Sequence, residues 1–389
     1  MNFLSKHKTL IAGILCGMIV TAVGLAGAYK VYRHIKKPKR FDTRPIVADL
    51  KGPTITKDLK VFVASSLDRV FLDGKTLHKP AFSSAAAISA AANEYESFQV
   101  VVHPTRQSLT SVSVEVSDLA DPTSRSKIAA AHVEPRLMGY VPTQQPYYPV
   151  QYVGLWPDPL LPLKTFNVHK GQFQPVWINV YVPKGTPPGN YEGTVVVRAE
   201  NIAPQTLAVQ LRVYDFTLPQ ESHLKTAFDF YGHITKARYP QGEKESEQAW
   251  QARINEINER FLVEMLKHRM NPVLNVDPTS QEELGAVDRF RVHGINNFSI
   301  GRRGGTFNNN WPTDDESING LQPLYQTYAE MLMLNQMLEY TYIYTWDEGE
   351  IGNPVPAKIA AMIHRAHKGL KNMVCYHGFW DPDIHPGWG

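Results

Sequence analysis

The feature that most constrains the fold is a change of hydrophobic pattern near Lys225. From about Leu59 to Leu218, short apolar stretches are separated by turn signals such as Asp73-Gly74. Short strands at this spacing, without helical periods, predict an antiparallel β-sandwich. The predicted strands contain Val61 and Val63; Phe98–Val102; Val112, Val114 and Val116; Trp177, Ile178, Val180 and Val182; Val195–Val197; and Leu207–Val213.

After Lys225, predicted strands alternate with predicted helices, which implies a parallel sheet. The strands are predicted at Ala227–Tyr231, Pro272–Val276, Phe298–Ile300, Tyr340–Thr345 and Met373–Tyr376. A first helix is predicted because Trp250, Ile254, Ile257, Phe261 and Met265 recur at spacings of three and four; the others are Leu324–Leu338 and Pro356–Gly369.

The length of this second region predicts an incomplete (β/α)8-type barrel. Its roughly 165 residues hold about five strand–helix units, whereas a complete eightfold barrel takes about 250 residues. The alternatives are an open half-barrel and a truncated sequence, and truncation is the favoured interpretation.

The N-terminal segment Thr9–Tyr29 contains no charged residue and is long enough to cross a bilayer as a helix. Two interpretations remain open. Ala26-Gly27-Ala28 has the small-x-small pattern of a signal-peptidase site, so the segment could be removed after Ala28. Its apolar run exceeds that of a typical signal peptide, which favours an uncleaved membrane anchor.

Charge and cysteine content exclude several classes of function. Residues 1–40 hold eight of the 40 Lys and Arg and none of the 37 Asp and Glu, so the remaining chain has 32 − 37 = −5 net charge. A mildly acidic body argues against nucleic acid as a partner. Cys375 is the only cysteine beyond the anchor, which excludes an intrachain disulfide and a cysteine-rich zinc site. The predicted organisation is a signal-anchor segment at 1–40, a linker at 41–56, a sandwich at 57–219 and a partial barrel at 220–389.

The sharpest candidate for chemistry is the acidic pair Asp347-Glu348, which follows the β-rich run Tyr340–Thr345. Active-site groups collect at the carboxyl ends of strands in parallel α/β sheets. Two adjacent acids cannot ionise independently, so one can be a general acid while the other is an anion. Trp346 could supply an apolar wall for a sugar face. The alternative is that the pair caps the next helix.

Four weaker candidates are predicted at the same edge of the sheet. Asp229 and Tyr231 close the first strand, and Asn275 and Asp277 close the second. Substrate binding is the functional hypothesis for them, and a turn or capping role is the favoured alternative. No metal ligand set and no cofactor motif is predicted.

Five short segments together resemble glycoside hydrolase family 123 and its uncharacterised relatives, in order and spacing from about residue 57 to 350. These segments are Asn93–Gln99; Val182–Pro183 with Pro187–Thr194; Tyr214–Pro219; His268–Pro272; and Tyr344–Glu348. The resemblance implies a β-sandwich followed by a (β/α)8-type barrel. It also implies a retaining, substrate-assisted hydrolysis of β-linked N-acetylgalactosamine or a related amino sugar in a glycan.

In the scheme that the resemblance implies, the acetamido oxygen of the substrate attacks the anomeric carbon, so no carboxylate nucleophile is required. Asp347 would orient and polarise the acetamido group, and Glu348 would protonate the leaving oxygen and later activate water. One alternative is a non-catalytic, membrane-tethered glycan-binding or scaffold protein, which the incomplete barrel supports. Another is a truncated gene product without a stable barrel.

The membrane orientation depends on this resemblance. The basic flank after Tyr29 favours a body in the cytoplasm. A glycan-directed sandwich and barrel favour the other side, so the expected location is non-cytoplasmic, either anchored through Thr9–Tyr29 or secreted after cleavage.

Overall fold

The computed structural model describes residues 54–55, 58–75, 82–200, 202–301, 311–350 and 352–377. The chain forms two compact units, Met1–Leu218 and Pro219–Gly389. The predicted anchor Thr9–Tyr29 lies outside the described residues. Within the described ranges, no helix is long and apolar enough to span a bilayer.

The first unit is built from strands. Their bounds are β1 Thr54–Ile55, β2 Leu59–Ser65, β3 Ala85–Ala92, β4 Glu94–Pro104, β5 Leu109–Val116, β6 Leu119–Ala120, β7 Lys127–Ile128, β8 Val133–Pro142, β9 Leu155–Pro162, β10 Phe166–Val168, β11 Gln174–Val182, β12 Gly189–Ala199 and β13 Ile202–Thr217. One sheet has the order β1-β2-β4-β11-β8-β9. The other has the order β10-β5-β12-β13-β3, with β6 and β7 attached to β12.

The two sheets share one hydrophobic core, which confirms the predicted sandwich. Alternate residues of β11, from Val176 to Val182, and of β13, from Leu207 to Val213, point into it. This alternation is what the two-residue period of a half-buried strand requires. Strand β4 is an exception, since Val100 and Val102 face the core while Val101 packs on a second cluster with Phe62. Burial on both faces explains the continuous apolar run of β4.

The pairing of the sandwich is antiparallel except at one edge, which corrects the prediction of a purely antiparallel sandwich. There β3 runs parallel to β13, with Ile88 opposite Leu211. The sequence of β3 is AAAISAAA, and alanine has low strand propensity, so the periodicity around it predicted no strand. Its place beside β13 is set by distant pairing, because β3 turns at Asn93 into a strand of the other sheet.

The segment Asn93–Gln99 holds this corner of the sandwich together. Asn93 adopts a left-handed backbone, φ 62°, and its side-chain amide donates to the Leu218 carbonyl oxygen at 2.9 Å. The buried Gln99 amide donates to the carbonyl oxygens of Ser65 and Asp68, both at 2.7 Å. A side chain at Gly193 would lie 2.8 Å from the Asp118 carbonyl oxygen, so only glycine fits there. These residues of the resembling segments therefore have structural roles.

The second unit alternates strands and helices. The bounds of its strands are β14 Asn275–Val276, β15 Phe298–Ile300, β16 Thr341–Glu350 and β17 Asn372–His377. The bounds of its helices are α1 Gly232–Arg238, α2 Glu247–Lys267, α3 Gln281–Arg291, α4 Asp315–Gly320, α5 Gln322–Leu334 and α6 Val355–Ala366. The four strands form a parallel sheet in chain order, which is the order that successive strand–helix units produce.

The first predicted strand of this unit is reduced to a single parallel bridge between Phe228 and Pro272. Phe228 accepts a hydrogen bond from the Val273 amide and donates one to the Asn271 carbonyl oxygen, both at 2.9 Å. Five successive strand positions therefore lie side by side. The strands that the structure describes do not close into a barrel.

Helix α3 was absent from the prediction. Only Leu284, Val287 and Phe290 of its eleven residues are buried, so the apolar stripe is too narrow to stand out among charged residues. Ser280 caps it by accepting a hydrogen bond from the Glu283 amide.

Candidate functional site

Strand β16 carries the acidic pair, and a bulge in it decides which side chains share a face. The pairing with β17 shifts by one residue between Tyr344 and Trp346, so Thr345 is an extra residue. An extra residue reverses the alternation of the side chains that follow it. The pairing shifts again between Trp346 and Gly349, the interval that contains Asp347. The Tyr344 hydroxyl donates a 2.5 Å hydrogen bond to Asp347 Oδ1, which places both side chains on the same face.

Trp346 packs on the other side of the strand. Its ring lies against the hydrophobic cluster that contains Ile343 and Ile359 of α6. The structure thus does not bring Trp346 to the face of Tyr344 and Asp347, and its predicted role as a sugar wall stays a prediction. The side chain of Glu348 lies outside what the structure describes.

Asp229 and Tyr231, which follow the Phe228 bridge, form the second part of the site. The Tyr231 hydroxyl donates to Asp229 Oδ2 at 3.3 Å. The negative charge of Asp229 is the main cause that raises the pKa of Tyr231, and the charge of Asp347 adds to it. The charge of Asp347 reaches Tyr231, so the carboxyl-terminal side of β16 lies near the residues that follow the Phe228 bridge.

Two tyrosines that the sequence reasoning missed complete this cluster. The pKa of Tyr344 is raised above its usual range, mainly by burial. Its hydrogen bond to Asp347 and the charges of Asp347, Cys375 and Asp229 raise the pKa further. Burial, followed by the charge of Asp229, raises the pKa of Tyr342 to about 12. The spacing of Tyr342 and Tyr344 in a predicted strand was the available signal, since residues two apart share a face.

The Tyr342 hydroxyl is buried without a hydrogen-bond partner among the described residues. Each such group in a folded protein calls for an explanation, because an unpaired buried polar atom costs free energy. All three phenols are protonated near neutral pH, because the ordinary pKa of tyrosine is about 10 and their surroundings raise it further. The cluster of Asp229, Tyr231, Tyr342, Tyr344 and Asp347, hereafter the carboxyl-edge site, thus combines hydroxyl donors with carboxylate acceptors.

The remaining predicted residues have other surroundings. Asn275 is exposed, and its Oδ1 lies 4.0 Å from the position that a Cβ would take on Gly301, at the end of β15. Asp277 Oδ1 accepts hydrogen bonds from the Thr279 amide at 2.9 Å and hydroxyl at 2.6 Å. The Asp277 amide donates to Glu283 Oε2 at 2.8 Å. Asp277 is therefore held in the turn that begins α3, and substrate binding by Asn275 and Asp277 stays a prediction.

The opposite edge of the sheet holds three buried asparagines that precede strand positions. The side-chain Nδ2 of Asn271 donates to the Asn297 backbone carbonyl oxygen at 2.9 Å. Its Oδ1 accepts from the backbone N–H of Asn296, also at 2.9 Å. The Asn297 side chain donates to the Thr226 carbonyl oxygen at 2.9 Å, and that of Asn296 to the Ser222 carbonyl oxygen at 2.8 Å. These three residues are hereafter called the asparagine network. The segment His268–Pro272, which contains Asn271, therefore has a structural role.

Among the described residues, no group of three or more His, Cys, Asp or Glu side chains lies where it could hold a metal ion.

Comparison with known proteins identifies the sandwich. Residues 75–199 match the glycoside hydrolase 123 N-terminal domain. These residues lie within the sandwich, which therefore resembles that domain. The family resemblance is thereby confirmed, and the chain is a glycoside hydrolase-like protein. A search of curated proteins found no significant match.

The family 123 fold also extends beyond the matched residues. A family 123 glycoside hydrolase from Clostridium perfringens, whose structural analysis concerned glycolipid glycan hydrolysis, superposes with a TM-score of 0.58 at 14% identity. The alignment covers 84% of this chain and 65% of that one, so this chain spans about two thirds of that length. Likeness at this identity shows a shared fold.

Other solved glycoside hydrolases resemble the chain only weakly. A family 39 enzyme from Bacteroides cellulosilyticus has a TM-score of 0.26 at 11% identity, over 75% of this chain and 49% of that one. A family 5 xyloglucanase from Bacteroides ovatus has a TM-score of 0.21 at 10% identity, over 73% and 61%. Scores this low carry no argument.

Proposed function

We propose that the protein is a glycosidase that hydrolyses a β-linked N-acetylgalactosamine, or a related amino sugar, with retention and by substrate assistance. The observation that supports this most is the position of Asp347 in the carboxyl-terminal half of β16, where it accepts a hydrogen bond from Tyr344 and its charge helps to raise the pKa of Tyr231. The family 123 match of residues 75–199 supports this class of enzyme.

In the proposed reaction, Asp347 accepts a hydrogen bond from the acetamido N–H of the sugar. Its carboxylate polarises the acetamido group, and the acetamido oxygen forms a bond to the anomeric carbon. The Tyr344 hydroxyl holds the carboxylate in one orientation, because it occupies one of the two carboxylate oxygens. A positioned carboxylate costs little reorganisation at the moment of reaction.

Glu348 provides the proton that this step requires. As the bond to the leaving oxygen breaks, Glu348 protonates that oxygen and becomes a carboxylate. It then removes a proton from water, whose oxygen attacks the anomeric carbon and restores the acetamido group. The anomeric configuration is retained because two successive displacements occur at this carbon and each inverts it. This role rests on the place of Glu348 beside Asp347 and on the family resemblance.

The proposed substrate is the glycan of a glycoconjugate. The related enzyme from Clostridium perfringens was analysed for glycolipid glycan hydrolysis. The Tyr231 and Tyr344 hydroxyls donate their protons to Asp229 and Asp347, so their oxygens and these carboxylates can accept hydrogen bonds from the hydroxyl groups of a sugar. We also propose that Thr9–Tyr29 anchors the chain with its body on the non-cytoplasmic side, or that cleavage after Ala28 releases it.

The test is release of a chromophore from an aryl β-N-acetylgalactosaminide by the full chain. Glu348→Gln should lower turnover by about 10² to 10⁴, the usual contribution of a general acid–base. Glu316→Gln is the matched control, since Asp315-Glu316 is a second acidic pair, placed in the first turn of α4. Equal turnover by wild type and Glu348→Gln, or no turnover of any amino-sugar glycoside, would refute the proposal.

A further inference from the structure

A neutral, apolar hairpin projects from the edge of the sandwich. Strands β8 and β9 form it, and its distal part runs from Val141 to Leu155. Six large hydrophobic side chains there are at least 40% exposed, namely Val141, Tyr147, Tyr148, Val150, Val153 and Leu155. Tyr147 is fully exposed. Residues 141–157 contain no Asp, Glu, Lys or Arg.

The base of the hairpin is fixed to the sandwich. The Tyr140 hydroxyl donates to the Val70 carbonyl oxygen at 3.1 Å. The buried Phe71 ring lies 3.9 Å from the Tyr152 ring and 5.3 Å from the Trp156 ring, centroid to centroid. Where the loop leaves the two strands, the Thr143 amide donates to the Gly154 carbonyl oxygen at 2.8 Å. The exposed side chains therefore sit on an ordered support.

Clusters of exposed apolar residues mark surfaces that bind something other than water. Tyrosine and tryptophan favour the boundary between headgroups and acyl chains, where the ring is buried and the polar tip stays wet. Cations flank this hairpin: Arg69 lies 5.8 Å over the Trp156 ring, and Lys75, which pairs with Asp73 Oδ2 at 3.3 Å, lies 5.7 Å over the Tyr152 ring. Basic groups beside an apolar surface suit anionic lipid headgroups.

We infer that the hairpin Val141–Leu155 docks on the surface of a lipid bilayer. The apolar segment Thr9–Tyr29, whose flanks carry the basic residues of 1–40, lies in the same chain and 30 residues before the start of β2. A tether of that length keeps the sandwich close to the membrane. The inference deepens the proposed function, and rests on it for the substrate: docking presents a glycolipid headgroup to an enzyme.

The test uses an environment-sensitive dye at two positions of the full chain in vesicles. The dye is attached at Tyr148→Cys on the hairpin or at Thr123→Cys, an exposed position between β6 and β7 that serves as the matched control. Both carry Cys16→Ser and Cys375→Ser, so that a single thiol reacts. The vesicles contain phosphatidylcholine with and without an anionic phospholipid, and a lipid-borne quencher.

The expected result is that the lipid-borne quencher lowers emission at position 148 at least about threefold more than at position 123, as for an interfacial side chain. Equal quenching at the two positions, or failure of the protein to float with the vesicles, overturns the inference. If the difference in quenching between the two positions appears only with glycolipid, the hairpin binds the glycan instead. If the difference grows with the density of protein on the vesicles, the hairpin binds a second copy of the chain. Both of these outcomes also overturn it.

A second readout separates this inference from the proposed function. Tyr147→Ser with Tyr148→Ser should lower hydrolysis of a vesicle-embedded glycolipid roughly fivefold or more, since apolar contact with the bilayer is lost. Hydrolysis of the soluble aryl glycoside should not change. An equal loss on both substrates contradicts docking, whereas the dye measurement decides the inference even if no glycoside is cleaved.

Discussion

At the amino edge of the parallel sheet, Asn271, Asn296 and Asn297 are at most 6% exposed, and their side chains pair with one another and with backbone. At the carboxyl edge, Asp229, Tyr231 and Asp347 remain partly open to solvent, with carboxylates close enough to raise neighbouring pKa values. Satisfied buried polar groups rigidify a fold. Unbalanced charge at the other edge is typical of a site that acts on a ligand.

The division of roles has a physical cause in the strand direction. Parallel strands place all their carboxyl ends at one edge, where the connections to helices carry the functional groups. Every strand begins at the other edge, where the buried polar groups of the backbone need hydrogen-bond partners. Substitutions at the two edges should therefore separate activity from stability.

The largest expected effect is on turnover, in Asp347→Asn. Losing the charge that polarises the acetamido group should lower kcat by about 10² to 10³, as for removal of one polarising group in other active sites. The free energy of unfolding should change little, since Asp347 is partly exposed. Steady-state kinetics with the aryl glycoside checks this, and Asp288→Asn, at an exposed carboxylate on α3, is the control.

The second prediction concerns the amino edge, where a substitution should lower stability and leave turnover unchanged. Asn297→Ala removes hydrogen bonds to the Thr226 carbonyl oxygen and to Asn296 Oδ1, both from Asn297 Nδ2, and an acceptor for Asn271. Leaving such groups unpaired should lower the free energy of unfolding by about 2–4 kcal/mol. Denaturant titration measures it, while kcat of the folded variant should stay the same.

Asn275→Ala is the matched asparagine variant for that comparison. Asn275 is exposed at the carboxyl edge, so its loss should change the free energy of unfolding by less than about 0.5 kcal/mol. If Asn275→Ala destabilises the protein as much as Asn297→Ala, the contrast between the two edges is wrong.

A smaller effect is expected for Tyr344→Phe. Losing the hydrogen bond that orients Asp347 should lower kcat about tenfold, the cost of one charge-assisted hydrogen bond, with a smaller change in KM. Tyr340→Phe is the control, because Tyr340 precedes the same strand at the other edge, where its ring lies under Arg291. A loss of kcat in both variants would indicate a general effect on β16.

The smallest effect concerns stability at alkaline pH. The pKa of Tyr342 is about 12 in the folded protein and about 10 when unfolded, so between these values the folded state binds more protons. Stability should therefore be complete below pH 10 and fall as pH rises, by up to about 1.4 kcal/mol per pH unit for this group. Urea titrations at pH 9 and 11 should show a shallower loss for Tyr342→Phe, and an unchanged loss would exclude burial of this phenol.

Much of the fold could be predicted from local periodicity. The alternation in β11 locates this strand, because every second residue from Val176 is buried. The apolar spacing in α2 locates the helix but not its buried stripe, since Phe261 is 46% exposed while Leu266 is buried. Asp347-Glu348 is predicted just after a strand that ends at Thr345, whereas β16 continues to Glu350 and contains the pair. Strand β3 and helix α3 could not be predicted, because alanine and charged residues dominate them and distant pairing decides their state.

The composition of the carboxyl-edge site could be predicted only in part. The bulge at Thr345 changes which side chains share the face of Asp347, and no local pattern marks it. Without the bulge, Trp346 would share the face of Tyr344. The asparagine network was hidden because Asn271 and Asn297 are separated by 26 residues and meet only when their strands pair.

Binding of a thiazoline analogue of N-acetylgalactosamine, which mimics the cyclised acetamido intermediate, tests the account most directly. Calorimetry should show tight binding to the full chain, a loss of at least about 100-fold in Asp347→Asn, and unchanged affinity in folded Asn297→Ala. Failure of the wild-type protein to bind, or equal affinity in wild type and Asp347→Asn, would contradict substrate assistance at the carboxyl edge.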